Sequence, residues 1–317
     1  MKKKVNASHS VRPSKSSRGD SADCTRLAEL LNEQARGEGF FNSAIDGVRY
    51  MRSTLHLPRN PVTYQPSIVI IAQGEKIGHF GHRTFVYDSD HYLVLTLPLP
   101  FECETRGSPR EPVLGLSIAL SPPLIAELLM QMEMGAVRVE RQPRAIEAAT
   151  LEPDLRAIVI RLAEALRSRD DAKILGPALI REITYRVLLG KLGGNLRALA
   201  APQSHFGQIS RVLNRLHADY ARAIEMETLA REAGMSVSTF HAHFKAITAS
   251  SPLQYLKTVR LHKAQLLMVN EGAQAAEAAL AVGYESASQF SREFKRHFGV
   301  SPAARTDRLR AQLISLS

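Results

Sequence analysis

Cysteine is scarce. Cys24 and Cys103 are the two in 317 residues, and neither lies in a CxxC or a Cys/His cluster. That excludes a disulfide framework and leads us to expect a reducing cytoplasm. Long hydrophobic runs are missing too. The longest uninterrupted apolar stretch is five residues, as at Ile68 to Ala72, against the roughly 20 that cross a bilayer, so no membrane-integral part is expected. Aromatic residues are 6%, with 44% apolar and 23% charged residues. This is ordinary globular composition, and it excludes fibrous, collagen-like and wholly disordered chains. At roughly 100 to 200 residues per domain, the length suggests two domains.

Acidic residues are also in short supply, but not uniformly. The formal charge is +10, with eight Lys/Arg against four Asp/Glu in residues 1–36, nineteen against eighteen in 37–200, and fourteen against nine in 201–317. A basic C-terminal third on a neutral middle suggests one part that meets a polyanion and another that does not.

Residues 1–36 are expected to form a disordered basic tail, most clearly Met1 to Ser21, where Lys, Ser, Asn, Pro, Arg and Gly outnumber aliphatic residues. From Gly47 to Leu120, short β-type runs are broken by turn residues: Val48 to Arg52, Ser67 to Ala72, Lys76 to Phe80, Arg83 to Tyr87, His91 to Thr96, Glu102 to Thr105 and Val113 to Leu120. This spacing predicts an antiparallel sandwich or barrel, with a hairpin turn at Gly81-His82 and another turn at Asp88-Ser89-Asp90. After Ser121-Pro122 the period becomes helical. Leu155, Ile158, Leu162 and Leu166 form one stripe, and Leu179, Ile183, Val187 and Leu188 a second. Because the barrel has no obvious need of so much apolar helix, these stripes are expected to carry a homodimer interface, which a charge at Leu162 should break. Gly193 to Gln203 reads as a linker.

The last third holds an internal repeat of 50 residues. "SVSTFHAHFKAITASSP" from Ser236 aligns without a gap to "SASQFSREFKRHFGVSP" from Ser286, with seven identities in seventeen positions. Each copy reads as helix, glycine turn and second helix: Met226 to Ala233, Gly234-Met235 and a helix capped by Ser236, then Ala275 to Val282, Gly283-Tyr284 and a helix capped by Ser286. Ser286 and Gln289 have the spacing of a capping box. Phe240/Phe244 and Phe290/Phe294 bury one face of each second helix and turn the residues between them outward, where a helix in a major groove makes its contacts.

These residues resemble the DNA-binding domain of the AraC/XylS family of bacterial transcriptional regulators. "LAREAGMSVSTFHAHFKAITASSPLQYL" and "AALAVGYESASQFSREFKRHFGVSP" follow the family pattern over nearly a hundred residues. The sequence departs from it at Ala242, where arginine is common, and at Arg305, where a tyrosine is usual. "PSIVIIAQGEKIGHFGHRTFVYDSDHYLVLTLPLPFE" and "EPVLGLSIALSP" are similar to the cupin-like sensor of such regulators, and "ILGPALIREITYRVLLG" to the helices that follow it. The resemblance implies an α+β chain: a cupin-like antiparallel β-barrel with flanking helices in residues 37–200, for sensing and dimerisation, and an all-α double helix-turn-helix domain in 201–317. It implies double-stranded DNA, RNA polymerase and a small-molecule effector as partners, and a place in the bacterial cytoplasm on the nucleoid.

Two recognition helices on a connecting helix from Pro252 to about Val269, roughly 26 Å long at 1.5 Å per residue, suit successive major-groove turns roughly 34 Å apart. The expected DNA-facing residues are Ser238, His241 and Lys245 in the first helix, and Ala287, Ser288, Ser291 and Arg292 in the second. Arg292 is the best base reader, since a guanidinium bonds guanine at two points. Lys245, Lys295 and Arg296 are expected on phosphates. Tyr92 and Cys103 are the expected inward residues of an effector pocket, the latter because it alternates with Glu102 and Glu104. His79, His82, His91 and Glu102 lack a His-x-His pair, so neither metal nor cofactor is expected. No GxSxG, HExxH or phosphate-binding glycine loop suggests an enzyme.

Overall fold

The computed structural model describes residues 18–132 and 143–314. Residues 1–17 of the expected tail lie outside the described residues. From Arg18 onward the tail expectation is corrected: α1 (Arg18–Gln34) is a helix, and Leu27, Leu30 and Leu31 at helical spacing are fully buried. A mostly polar segment with one apolar stripe has enough to bury once a sheet face is offered to it.

Among the described residues there are ten strands, seven of them at the expected runs: β1 (Gly39–Asn42), β2 (Val48–Ser53), β3 (Leu57–Tyr64), β4 (Ser67–Gln73), β5 (Glu75–Phe80), β6 (Arg83–Tyr87), β7 (His91–Leu95), β8 (Leu99–Arg106), β9 (Val113–Ala119) and β10 (Ile146–Thr150). β1, β3 and β10 were not expected. The strands form two antiparallel sheets, of order β1-β2-β9-β4-β7-β10 and β3-β8-β5-β6. Phe80 pairs with Arg83 across the Gly81-His82 turn, where Gly81 has φ +59°.

Between the sheets lie Met51, Val69, Ile71, Leu93 and Leu95 from one and Phe85, Tyr87, Leu99, Phe101 and Cys103 from the other. The opposite face of the six-stranded sheet, including Tyr50, Ile68, Ile70, Tyr92, Val94 and Leu116, packs against helices. α2 (Pro122–Gln131) precedes β10, and α3 (Pro153–Ala165) and α4 (Arg169–Leu189) follow it. Both expected stripes, Leu155 to Leu166 and Leu179 to Leu188, are consumed here and are not a subunit interface; Leu162, Ile183, Val187 and Leu188 are fully buried. The expected linker is mostly α5 (Gly193–Leu199).

The C-terminal third contains α6 (His205–Ala218), α7 (Met226–Glu232), α8 (Val237–Thr248), α9 (Pro252–Leu266), a π-helical turn at Leu267–Glu271, α10 (Ala275–Ala281), α11 (Ala287–Phe298) and α12 (Pro302–Ile314). Phe206, Leu213, Phe240, Phe244 and Tyr255 continue the apolar core of the barrel, whereas Leu261, Met268, Tyr284, Phe290, Phe294 and Phe298 form a separate one. The first helix-turn-helix is therefore fused to the barrel, and the second has its own core.

Candidate DNA-binding face and barrel cavity

Each recognition helix is built by the same local chemistry. Ser236 Oγ accepts from Thr239 N, and Ser286 Oγ from Gln289 N, satisfying one orphan donor at each helix start. Gly234 (φ +67°) and Gly283 (φ +85°) make the preceding turns. The reciprocal half of the expected box at Ser286 is absent, because Gln289 Nε2 donates to Glu293 instead. The reciprocal bond of this kind is at Gln274, whose N–H donates to Glu277. Phe240, Phe244, Phe290 and Phe294 are 0% exposed. The opposite faces are open: Ser238, His241, Lys245, Ala287, Ser288, Arg292, Lys295 and Arg296 are exposed and Ser291 partly so.

Both helices are pinned to α9. Phe244 meets Tyr255 edge to face at 5.6 Å. Lys257 Nζ donates to Glu293 at 2.7 Å, and Tyr284 OH donates to the other oxygen of the same carboxylate. Burial opposes ionisation of Glu293, but the hydrogen bonds from Lys257, Gln289 and Tyr284 outweigh it and hold its pKa below the usual range. Tyr255 also joins the halves, accepting from His217 Nε2 at 2.8 Å and donating to Pro98 O in the barrel. Nothing in the sequence marked Lys257, Glu293 or Tyr255, although a Lys/Glu pair on neighbouring helices is the kind of signal to look for.

A cavity of about 280 Å³ lies between the sheets and reaches the C-terminal helices. Met51, Val62, Tyr64 and Cys103 line it from the barrel, and Leu266, Val269 and Leu309 close the far side. Cys103 points inward, 3.3 Å from Tyr87 OH. Tyr92, its expected companion, does not: it faces the helix layer, in a different cavity beside Glu152 and Gly190, because β7 is apolar on both faces. Sequence reasoning missed Lys76. Its side chain is buried at 6% exposure with Nζ 5.9 Å from the Tyr64 ring. Among the described residues no carboxylate pairs with it. Burial acts against its charge, and Tyr64 and Cys103 beside it more than offset that, so its pKa stays above the ordinary value.

The histidines considered for a metal are dispersed. His79 contacts Thr84, His91 contacts Asp88, and Glu102 pairs with Arg59. Among the described residues no three His, Cys, Asp or Glu side chains gather into a metal-binding group, and no helix is long and apolar enough to cross a membrane.

A family model described as the AraC-type transcriptional regulator N-terminus matches residues 44–195, and one described as a helix-turn-helix domain matches 229–308. The chain belongs to the AraC/XylS family of DNA-binding transcriptional regulators. It is 28% identical over 157 residues to the transcriptional activator RhaS of Escherichia fergusonii, a match covering 50% of this chain and 54% of that one. It is 22% identical over 244 residues to the virulence regulon activator VirF of Yersinia enterocolitica, covering 75% and 88%. Unsaturated fatty acid-bound ToxT from Vibrio cholerae has the same fold, with TM-score 0.58 and 12% identity over 90% of this chain and 99% of that one. The AraC/XylS regulator thus combines an N-terminal sheet domain with a C-terminal pair of helix-turn-helix units.

Proposed function

We propose that one chain of this AraC/XylS regulator reads two successive major-groove segments with α8 and α11, and that an organic acid in the barrel cavity controls it. The observation that carries the reading is the division of each helix: a buried phenylalanine pair behind, and an open polar and basic face in front, even with the barrel docked on the other side. Ser238, His241, Ala287, Ser288, Ser291 and Arg292 meet bases, and Lys245, Lys295 and Arg296 meet phosphates. Residues 37–200 act as the sensor and 201–317 as the DNA-binding domain. The protein works in the bacterial cytoplasm, on the nucleoid and with RNA polymerase, and performs no catalysis.

Lys76 supports the effector assignment. With Tyr64 and Cys103 beside it Lys76 keeps its charge without a carboxylate partner, and its ammonium faces a cavity whose wall is mainly apolar, with Glu38, Arg52, Ser53, Asn60, Thr105 and Gln265 as its other polar residues. A monocarboxylic acid with an apolar body suits both features, and ToxT, of the same fold, is described as binding an unsaturated fatty acid. Cys103 contacts the body of the ligand. The homodimer uses the outer face of α4, where Ile174, Tyr185 and Leu189 are exposed at 73%, 36% and 54% on one side of the helix.

Selection of DNA sequences by the full chain, followed by titration with saturated and unsaturated fatty acids and the matching alcohols, tests this reading. We expect one enriched site whose affinity changes with the acid but not with the alcohol, and loss of the response in Lys76→Met. No enriched site, or an equal response to acid and alcohol, overturns it.

A further inference from the structure

The midpoint of α9 carries an arginine that neither the reading face nor the cavity uses. Arg260 donates through Nε to Tyr220 O at 2.7 Å and through Nη2 to Arg222 O at 2.9 Å, both in the α6–α7 loop of the first unit. Through Nη1 it donates to Gly283 O at 2.9 Å, in the α10–α11 turn of the second. Its guanidinium lies 6.0 Å from the ring centre of Tyr284. One planar fork thus holds carbonyls from both units, which a lysine cannot copy, because its ammonium lacks the rigid fork. Gly283 shows how closely the units meet. A Cβ there would sit 2.2 Å from Ala221 O, and φ is already +85°, so the turn of the second unit rests against the backbone of the first.

We propose that Arg260 is the positioning residue that sets the distance and rotation between the two recognition helices, and so the spacing of the two half-elements the protein accepts in DNA. This rests on the two-groove reading above. α8 is tied to α9 by Phe244 on Tyr255 and α11 by Glu293 on Lys257, both in the N-terminal half of α9 and ahead of Arg260. Beyond these ties α9 passes from one apolar core to the other: Val259 belongs to the first and Leu261 to the second. Arg260 sits at that junction and ties the flanking loops together across it. Each base pair added between half-elements moves the second by about 3.4 Å and rotates it about the duplex, so a rigid frame accepts one spacing and a loose frame several.

The test measures affinity of the full chain for its selected site with zero, one, two and four base pairs inserted or deleted between the half-elements, alongside a site with one half-element scrambled. Wild type should show one sharp optimum and lose at least about tenfold at two base pairs from it. Arg260→Gln should keep its affinity for the single half-element but flatten the profile to about threefold or less. A variant profile as sharp as wild type, merely lower throughout, makes Arg260 structural and overturns the proposal. A flat wild-type profile instead overturns the two-groove reading itself. Thermal unfolding monitors the fold, and if Arg260→Gln does not fold, Arg260→Lys, which keeps the charge and loses the fork, takes its place with the same outcomes.

Discussion

Arg305 of α12 donates through Nη2 to the side-chain oxygen of Asn60 in β3, 2.6 Å away and 245 positions earlier in the chain. Its Nε reaches Gln265 on α9, and its guanidinium lies 5.4 Å from the Phe298 ring centre. Where the family pattern has a tyrosine that matters for packing the last helix, this chain has a charged tie from the second helix-turn-helix unit to the barrel. Because the second unit has a separate apolar core, such polar ties hold it to the barrel. Asn60→Ala should therefore lower stability by about 1.5 to 3 kcal/mol, the range for a hydrogen bond to a charged group, in urea unfolding of the full chain. No change would mean that the contact is incidental.

α1 gives a second prediction. Leu31 is fully buried against the helix layer, so Leu31→Ala should cost about 2 to 5 kcal/mol. A disordered tail would give nothing. Leu162→Glu, placed in the same core, should unfold the N-terminal part instead of separating subunits, because a buried unpaired carboxylate costs several kcal/mol. Sedimentation together with circular dichroism tells the two outcomes apart.

On the DNA side, Arg292→Ala should cost about 1 to 3 kcal/mol at the selected site and relax preference at one position. Lys295→Ala should weaken every sequence alike and reduce the salt slope by about one phosphate, roughly 0.9 in log-log units. Equal losses on selected and random DNA for both variants would put the reading face elsewhere.

Acid should weaken the fold through its buried histidines. Burial, with Lys263 adding to it, lowers His217 to about 4, and burial with His297, Arg305 and His217 nearby lowers His262 to about 3. His297, also lowered by burial, feels Glu102 in the opposite sense and shares an Nε2 to Nε2 contact of 3.2 Å with His262, which requires at least one of the rings to keep an unprotonated nitrogen. Above about pH 6.5 these histidines are neutral in both states and contribute no pH dependence. Below it the unfolded chain takes up protons that the fold refuses, so stability falls progressively toward pH 4 and then 3. Between pH 7 and 4.5, His262→Gln should lose about 2 to 3 kcal/mol less than wild type in denaturant unfolding. Identical slopes would contradict the buried pair.

The recognition units were legible because their information is local. Serine caps, glycine turns and the i, i+4 phenylalanine pair recur 50 residues apart, and each element can be read without its neighbours. The strands of the barrel were mostly legible, but the direction of their side chains only where they alternate, as in β8, where Cys103 turns inward between Glu102 and Glu104. β7 carries Tyr92, Leu93, Val94 and Leu95 between two covered faces, so no alternation told which way Tyr92 points. β3 was hidden by Pro58 and Pro61, which an edge strand tolerates and a central one does not. Lys76 reads as a solvent-facing residue until the six-stranded sheet is placed over it. Arg260 and Arg305 act over 20 to 250 positions, a range at which a single sequence gives no pattern.

Hydroxyl-radical footprinting of the full chain on its selected DNA decides whether one chain reads two grooves. Two protected stretches should lie on one face of the duplex, about 10 base pairs apart, with the one contacted by α11 fading in Arg292→Ala while the other persists. A single protected stretch, or protection that does not depend on sequence, would contradict the two-groove reading.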